Sequence, residues 1–147
     1  MERTISTPFG PMCLVEADGV LVRFFRGCGG TDASPLLVEA EKQLSEYFAG
    51  TRREFALPLV PAGTEFQRKV WDALRTIPYG ETRSYGEIAA QIGNPKAGRA
   101  VGMANNRNPL PILIPCHRVI GADGTLVGYG GGLDVKSALL ELEHRNP

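Results

Sequence analysis

The pattern of the chain changes at a cluster of turn-forming residues that follows the first 57 positions. Pro58, Pro61 and Gly63 interrupt strands and helices alike. Before this cluster the sequence is rich in β-forming residues, and after it apolar residues recur at helical spacing. The chain therefore predicts an α+β fold: a small, strand-rich N-terminal α+β subdomain over 1–57, then a mainly helical C-terminal domain over 58–147.

The N-terminal subdomain carries local signals for strands and one helix. Asp18-Gly19 separates two β-rich segments in MCLVEADGVLVRFF, which predicts a hairpin. The segment SPLLVEAEKQLSEYFAG predicts a helix, because Ser34 can cap it, Pro35 fits its first turn and Gly50 follows its end. The segment EFALPL predicts a short closing strand. No residue here suggests chemistry.

The C-terminal domain begins with helix-start signals. Two capping boxes, T-x-x-Q at 64–67 and S-x-x-E at 84–87, precede the apolar-periodic segments FQRKVWDALRTI and YGEIAAQI. Gly93-Asn94 then turns the chain, and Pro95 predicts the start of a further helix through PKAGRAVGMANN. Two short helices joined by such a turn predict a helix-turn-helix at about 84–106.

The second of these helices is built from small residues. Gly98 and Gly102 each cost about 1 kcal/mol relative to alanine inside a helix, and Arg99 is the one long polar residue, predicted mid-helix. A helix that reads base edges carries several hydrogen-bonding side chains. Either tight packing on the adjoining core or the close approach of a partner's backbone explains the glycines. A thin helix can enter a narrow groove without reading sequence.

The charge of the chain is neutral overall but uneven. Sixteen basic and sixteen acidic residues cancel, whereas residues 83–119 have a local net charge of +4. A solvated face and a phosphate-binding surface explain this excess equally well. The charged residues of this stretch are Arg83, Glu87, Lys96, Arg99, Arg107 and Arg118.

The composition is that of a globular protein, with 43% hydrophobic and 22% charged residues. Three cysteines without a C-x-x-C pair, and two histidines, predict neither a disulfide framework nor a zinc site, so we expect no metal and no cofactor. No apolar run could span a bilayer and MERTISTPFG has no signal-peptide core. We therefore expect a cytoplasmic protein with no membrane partner.

The stretch ILIPCHRVIGADG carries the strongest chemical signal. Cys116 and His117 are adjacent, and a nearby imidazole can activate a thiol as a nucleophile. Neighbours on a regular strand face opposite ways, and Pro115 disfavours such a strand, so we expect a bend or a bridging water. A carboxylate that orients the imidazole could come from Glu141 or Glu143 in DVKSALLELEHRN.

A glycine-rich stretch, GYGGG at 128–132, follows the Cys-His pair. It matches neither G-x-G-x-x-G nor a phosphate-binding loop, since no G-K-[ST] follows. A loop that forms the wall of a pocket beside Cys116 is the better interpretation.

These residues together resemble the 6-O-alkylguanine-DNA alkyltransferases, also called methylated-DNA–protein-cysteine methyltransferases. The similarity is carried by PCHRVI with the preceding NPLPILI and the following GYGGGLDVKSALLELE. It extends back through RAVGMANNRNP, GNPKAG, PYGETRSYGEIA and TEFQRKVWDAL, and covers roughly 64–143. The N-terminal third resembles the family only in its α+β outline.

The resemblance implies a role for individual positions. Cys116 would be the alkyl acceptor, and His117 would deprotonate it through a water. Glu143, rather than Glu141, would orient the imidazole, and Tyr85 would help to rotate the nucleotide and hydrogen-bond the guanine ring. Further implied positions are the hinge Asn108, the DNA contacts Arg99, Ala97, Gly102, Lys96 and Arg107, and the pocket residues Tyr129, Val119, Gly130, Gly131 and Met103.

The implied function is DNA repair by direct reversal. The protein would flip an alkylated guanine out of double-stranded DNA, bound as a monomer through the minor groove without sequence preference, and transfer the alkyl group irreversibly to Cys116. Gly130 stands where many family members have a serine near the guanine oxygen, so the pocket would be roomier. Three alternatives remain: a sensor of alkylated bases, a helix-turn-helix regulator with a reactive cysteine, and a cysteine hydrolase.

Overall fold

The computed structural model describes residues 1–27, 29–124 and 132–147. The chain forms two compact units, Met1–Ala62 together with Asn146 and Gly63–Arg145 together with Pro147. A sheet comes first and most of the helices follow, so the predicted α+β class is confirmed. Within the described residues, none of the helices combines the length and apolar character needed to cross a bilayer.

The first unit is built on a three-stranded antiparallel sheet. Its strands are β1 (Glu2–Thr7), β2 (Gly10–Ala17) and β3 (Val20–Arg26), paired in that order. Asp18 and Gly19 join β2 to β3 with φ angles of 51° and 79°, the left-handed conformation that a two-residue hairpin turn requires. The predicted hairpin is confirmed.

Helix α1 (Pro35–Phe48) belongs to the same unit, and its predicted start is confirmed. The Ser34 side chain accepts a hydrogen bond from the backbone N–H of Leu37, and Pro35 occupies the first turn. Gly50 follows the helix with a φ of 79°. The buried face of α1 consists of Leu37, Ala40, Gln43, Leu44 and Tyr47.

The strand predicted for EFALPL, residues 54–59, does not form. Only Leu59 makes an isolated bridge, to Leu21 in β3. The reason lies in Gln43, whose side-chain amide accepts from the Ala56 N–H at 2.9 Å and donates to the Ala56 carbonyl at 3.4 Å. A side chain of α1 thus takes the hydrogen bonds that a neighbouring strand would otherwise make.

The second unit is mainly helical. Both capping boxes are present, at the starts of the helices that follow Thr64 and Ser84. The first three helices of this unit pack against one another. Its elements are α2 (Glu65–Leu74), β4 (Arg83–Ser84), α3 (Tyr85–Gln91), α4 (Gly98–Asn106), a 3₁₀ turn (Cys116–Arg118), β5 (Val119–Ile120) and α5 (Leu133–Arg145).

Helix α4 begins three residues later than the sequence predicts. The Ala97 N–H donates to the Asn94 carbonyl at 3.0 Å, so that the chain forms a turn from Asn94 to Ala97 rather than the first turn of a helix at Pro95. Arg99 therefore lies in the first turn of α4 and not at its middle. The turn of the helix-turn-helix spans 92–97.

We expect Gln43→Ala to lower the free energy of unfolding by about 1–3 kcal/mol, because the buried Gln43 side chain makes two hydrogen bonds to the Ala56 backbone, each worth about 0.5–1.5 kcal/mol. Urea denaturation would measure the change. Glu39→Ala is the matched control, since Glu39 is exposed and accepts a hydrogen bond from the same Gln43 side chain. This substitution should lower the free energy of unfolding by less than about 0.5 kcal/mol. Equal losses in both variants would contradict this account of the 54–59 segment.

Candidate active site

Cys116 lies at the end of a series of tight turns. The Ile114 N–H donates to the Leu110 carbonyl and the Cys116 N–H donates to the Ile114 carbonyl, both at 2.8 Å. Pro115, with a φ of −78° and ψ of 63°, then leads into the 3₁₀ turn Cys116–Arg118. The expected bend at the Cys-His pair is confirmed, and both side chains are buried.

Asn108 holds the loop before this turn closed. Its Nδ2 donates to the Ile114 carbonyl at 2.9 Å and its Oδ1 accepts from the Leu110 N–H at 3.0 Å. Ile112, inside the loop, is buried at a φ of 73°. This conformation costs a β-branched residue about 1–2 kcal/mol, so the hydrogen bonds of Asn108 help to maintain a strained backbone.

A short parallel pairing brings Tyr85 towards the active-site turn. Strand β5 pairs with β4, with Arg83 opposite Val119, and Tyr85 follows β4 directly as the first residue of α3. Burial raises the pKa of the Tyr85 hydroxyl, and the negative charge of an ionised Cys116 raises it further. Tyr85 is therefore a neutral phenol and a hydrogen-bond donor at physiological pH.

His117, Arg118 and Glu143 form a buried cluster. His117 Nε2 lies 2.6 Å from Glu143 Oε2, while Arg118 donates from Nε to Oε1 and from a terminal nitrogen to Oε2, each at 2.9 Å. The Gly80 N–H also donates to Oε1, at 3.1 Å. Glu141, the alternative carboxylate, is exposed. The structure thus brings Glu143, and not Glu141, to the imidazole.

These contacts set the charges of the cluster. Burial alone would raise the pKa of Glu143, but the hydrogen bonds from His117 and Arg118 outweigh it and hold that pKa far below its usual range. Burial lowers the pKa of His117, although Glu143 opposes this effect. The stable arrangement is an ionised carboxylate with a neutral imidazole. Nε2 then carries the ring proton, and the lone pair is on Nδ1.

Arg118 is not part of a phosphate-binding surface, contrary to one interpretation of the basic stretch. Its side chain is buried at 7% exposure against Glu143. A terminal nitrogen of Arg83 lies 3.1 Å from a carboxylate oxygen of Glu81, and this ion pair offsets the positive charge that Arg83 adds to the surface. The basic residues of this stretch that are exposed are Lys96, Arg99 and Arg107.

Lys136 is a buried lysine that sequence reasoning missed. Its ammonium donates to the carbonyl of Val119, a predicted pocket residue, and lies 5.9 Å from the centre of the Tyr85 ring. Burial lowers the pKa of Lys136, and the charge of Cys116 opposes that change. The helical spacing of the sequence indicates this burial, because Lys136 falls on the same helical face as Leu139 and Glu143.

Asn105, rather than Met103, is the α4 residue that reaches the active-site turn. Met103, predicted for the pocket, is 60% exposed. Asn105 is buried, and its Nδ2 donates to the Cys116 carbonyl at 3.3 Å. Next to it, the Ala104 carbonyl accepts from the indole of Trp71 at 2.9 Å. The inner face of α4 is therefore hydrogen-bonded to the segment that bears the nucleophile.

The glycines of α4 are not explained by internal packing. Among the described residues, a Cβ added at Gly98 would meet nothing within 4 Å. A Cβ at Gly102 would lie 3.8 Å from the Tyr85 ring, an ordinary contact. Neither glycine has a positive φ. Internal packing, one of the two explanations, therefore does not require glycine at either position.

Some expectations concern residues that the structure does not describe. Tyr129, Gly130 and Gly131, predicted to line the pocket, lie outside the described residues. In the described ranges, no group of three or more His, Cys, Asp and Glu side chains is placed to hold a metal ion.

The sequence is similar to proteins of known family along most of its length. Residues 65–145 match the family model described as 6-O-methylguanine DNA methyltransferase, DNA binding domain. A methylated-DNA–protein-cysteine methyltransferase of Methanosarcina barkeri is 62% identical, and the match covers 97% of this chain and 96% of that protein. The Methanosarcina acetivorans protein of the same name is 53% identical, with 93% and 94% covered.

The structure is similar to a solved member as well. The crystal structure of Mycobacterium tuberculosis OGT in complex with DNA superposes with a TM-score of 0.91 at 52% identity, and covers 99% of this chain and 93% of that one. The sequence relatives and the solved structure match both compact units, and the family model matches the second. The chain belongs to the 6-O-methylguanine DNA methyltransferase family.

Proposed function

We propose that the protein repairs DNA by transferring an alkyl group from the 6-oxygen of guanine to the sulfur of Cys116. The observation that carries the proposal is the buried Cys116 turn, which bears His117 hydrogen-bonded to Glu143 and is also hydrogen-bonded to α4. The names of the relatives point to the same reaction. A cysteine hydrolase would not need a nucleophile segment hydrogen-bonded to such a helix.

The reaction is a displacement at the alkyl carbon. The Cys116 proton passes to Nδ1 of His117, by way of a water, and the thiolate attacks the carbon as the carbon–oxygen bond breaks. Guanine leaves with the bonding electrons and takes up a proton. A hydrogen bond from the neutral Tyr85 hydroxyl would stabilise this developing charge. The product is a thioether, so each molecule would react once.

The exposed face of α4 suits the minor groove. Arg99, Ala100 and Met103 are exposed there, and Gly98 and Gly102 leave room for a backbone or sugar to approach. Few of these side chains can read base edges, which suits a protein whose target occurs in any sequence. We propose that a monomer acts in the cytoplasm and binds double-stranded DNA in this way, without sequence preference.

We propose individual roles for the residues around α4. Arg99, at its exposed start, would fill the space left by the extruded nucleotide, and Asn108 would act as the hinge that joins α4 to the active-site loop. The carbonyls of Cys116 and Val119 already accept from Asn105 and Lys136, so a guanine amine would use their second lone pairs. The remaining DNA contacts would be Lys96, Ala97, Gly102 and Arg107.

Cys116→Ser should abolish alkyl transfer while leaving DNA affinity nearly unchanged, because the sulfur is the acceptor and lies buried. Radiolabel transfer from methylated duplex, with mass spectrometry of the modified peptide, would measure it. The wild type should gain one methylene per molecule on the Cys116 peptide. Cys13→Ser, a change in strand β2, is the control and should still be labelled. Labelling of Cys116→Ser, or more than one equivalent per molecule, would refute the proposal.

Arg99→Ala should slow repair of duplex DNA at least about tenfold, since extruding a base costs a few kcal/mol that the inserted side chain would offset. Reaction with a free alkylated guanine base should be unaffected. Single-turnover rates with both substrates would test this. Arg75→Ala is the control, because Arg75 is an exposed arginine at the end of α2. If the two substrates lost rate equally, the role assigned to Arg99 would be wrong.

A further inference from the structure

Arg118 makes more contacts than a structural ion pair needs. Its guanidinium binds both carboxylate oxygens of Glu143 and donates from its remaining nitrogen to the Ile77 carbonyl at 2.8 Å. Its Cζ lies 5.7 Å from the centre of the Tyr79 ring. A planar guanidinium held on both sides in this way has one orientation.

The carboxylate that Arg118 binds is also the partner of the imidazole. Glu143 Oε2 accepts from His117 and from Arg118, so one oxygen serves both groups. With the imidazole as its only partner, a buried carboxylate would draw a proton onto the ring, because an imidazolium is the opposite charge it needs. A protonated His117 cannot accept the proton of Cys116.

In the described part of the chain, the charges that act on His117 come from two elements. Glu143 and Lys136 face it from α5, and Arg118 adjoins it in the 3₁₀ turn. The charge of Glu143 raises the pKa of His117, whereas the charges of Arg118 and Lys136 lower it. The face of α2 that packs near this turn is apolar. Arg118 is therefore the cation that shares the carboxylate with the ring.

We propose that Arg118 is a positioning residue that neutralises the Glu143 carboxylate and so leaves the His117 imidazole uncharged and able to take the Cys116 proton. Glu143 can then orient the ring through Nε2 without protonating it. This inference rests on the proposed function, because a neutral base is needed only if Cys116 is to be deprotonated. It assigns to the arginine of the Pro-Cys-His-Arg stretch a task distinct from phosphate binding.

The test is an NMR titration of the histidine rings in the Cys116→Ser background. His144 is exposed and serves as the internal reference. Arg118→Met, which removes the charge but keeps the length, should raise the pH at which the His117–Glu143 pair takes up a proton by about one unit or more. Arg118→Lys, which keeps the charge, should titrate close to the parent protein.

A double variant separates charge from folding. In Arg118→Met with Glu143→Gln both charges leave together, so His117 should stay neutral as in the parent; if Arg118→Met alone does not fold, the equally uncharged Arg118→Gln takes its place. The inference is overturned if Arg118→Met titrates like the parent, if Arg118→Lys shifts as far as Arg118→Met, or if the double variant shifts upward. Radiolabel transfer by wild-type protein tests the proposed function separately, since the titration requires no alkyl transfer.

Discussion

The buried carboxylate of Glu143 is the interaction on which the second unit depends. A charge removed from water needs several good partners, and Glu143, in helix α5, has them from two other parts of the chain: the Gly80 N–H and the His117–Arg118 turn. Any shift of one segment would leave the carboxylate short of a donor. The same contacts that fix the turn also fix the protonation of the imidazole, so stability and reactivity share one set of hydrogen bonds.

Helix α4 joins this cluster to the surface that would meet DNA. On its inner side Asn105 donates to the Cys116 carbonyl, and the Ala104 carbonyl accepts from Trp71. Beyond its end, Asn108 closes the loop in which Ile112 has a strained backbone. A displacement of α4 would act on the nucleophile through these bonds. The inner side of the helix is therefore bonded to the segment that bears the sulfur, while Arg99, Ala100 and Met103 are exposed on the outer side.

The features that sequence predicted correctly are those settled within a few residues. Capping by Ser34 or Thr64 and the Asp18-Gly19 turn depend on neighbours along the chain, and each formed as expected. The strand expected at 54–59 failed because its partner is the distant side chain of Gln43. The grouping of Cys116 and His117 with Glu143 was predicted from the family resemblance. The prediction that Arg118 belongs to a basic surface was wrong, because its partner Glu143 lies 25 residues away along the chain. A count of charges does not show which side chains are buried.

Because Arg118 is buried, fewer cations of the 83–119 stretch are available to bind DNA phosphates. Of the residues between 83 and 119, Lys96, Arg99 and Arg107 remain as exposed cations. Each phosphate neutralised adds a slope of about −0.9 to the dependence of log K on log salt concentration, so phosphate contacts by Lys96 and Arg107 would add only about −1.8, a weak electrostatic contribution. Weak binding lets a protein leave undamaged DNA quickly. Recognition of damage would then depend on whether an extruded base reacts at Cys116, rather than on affinity for the duplex.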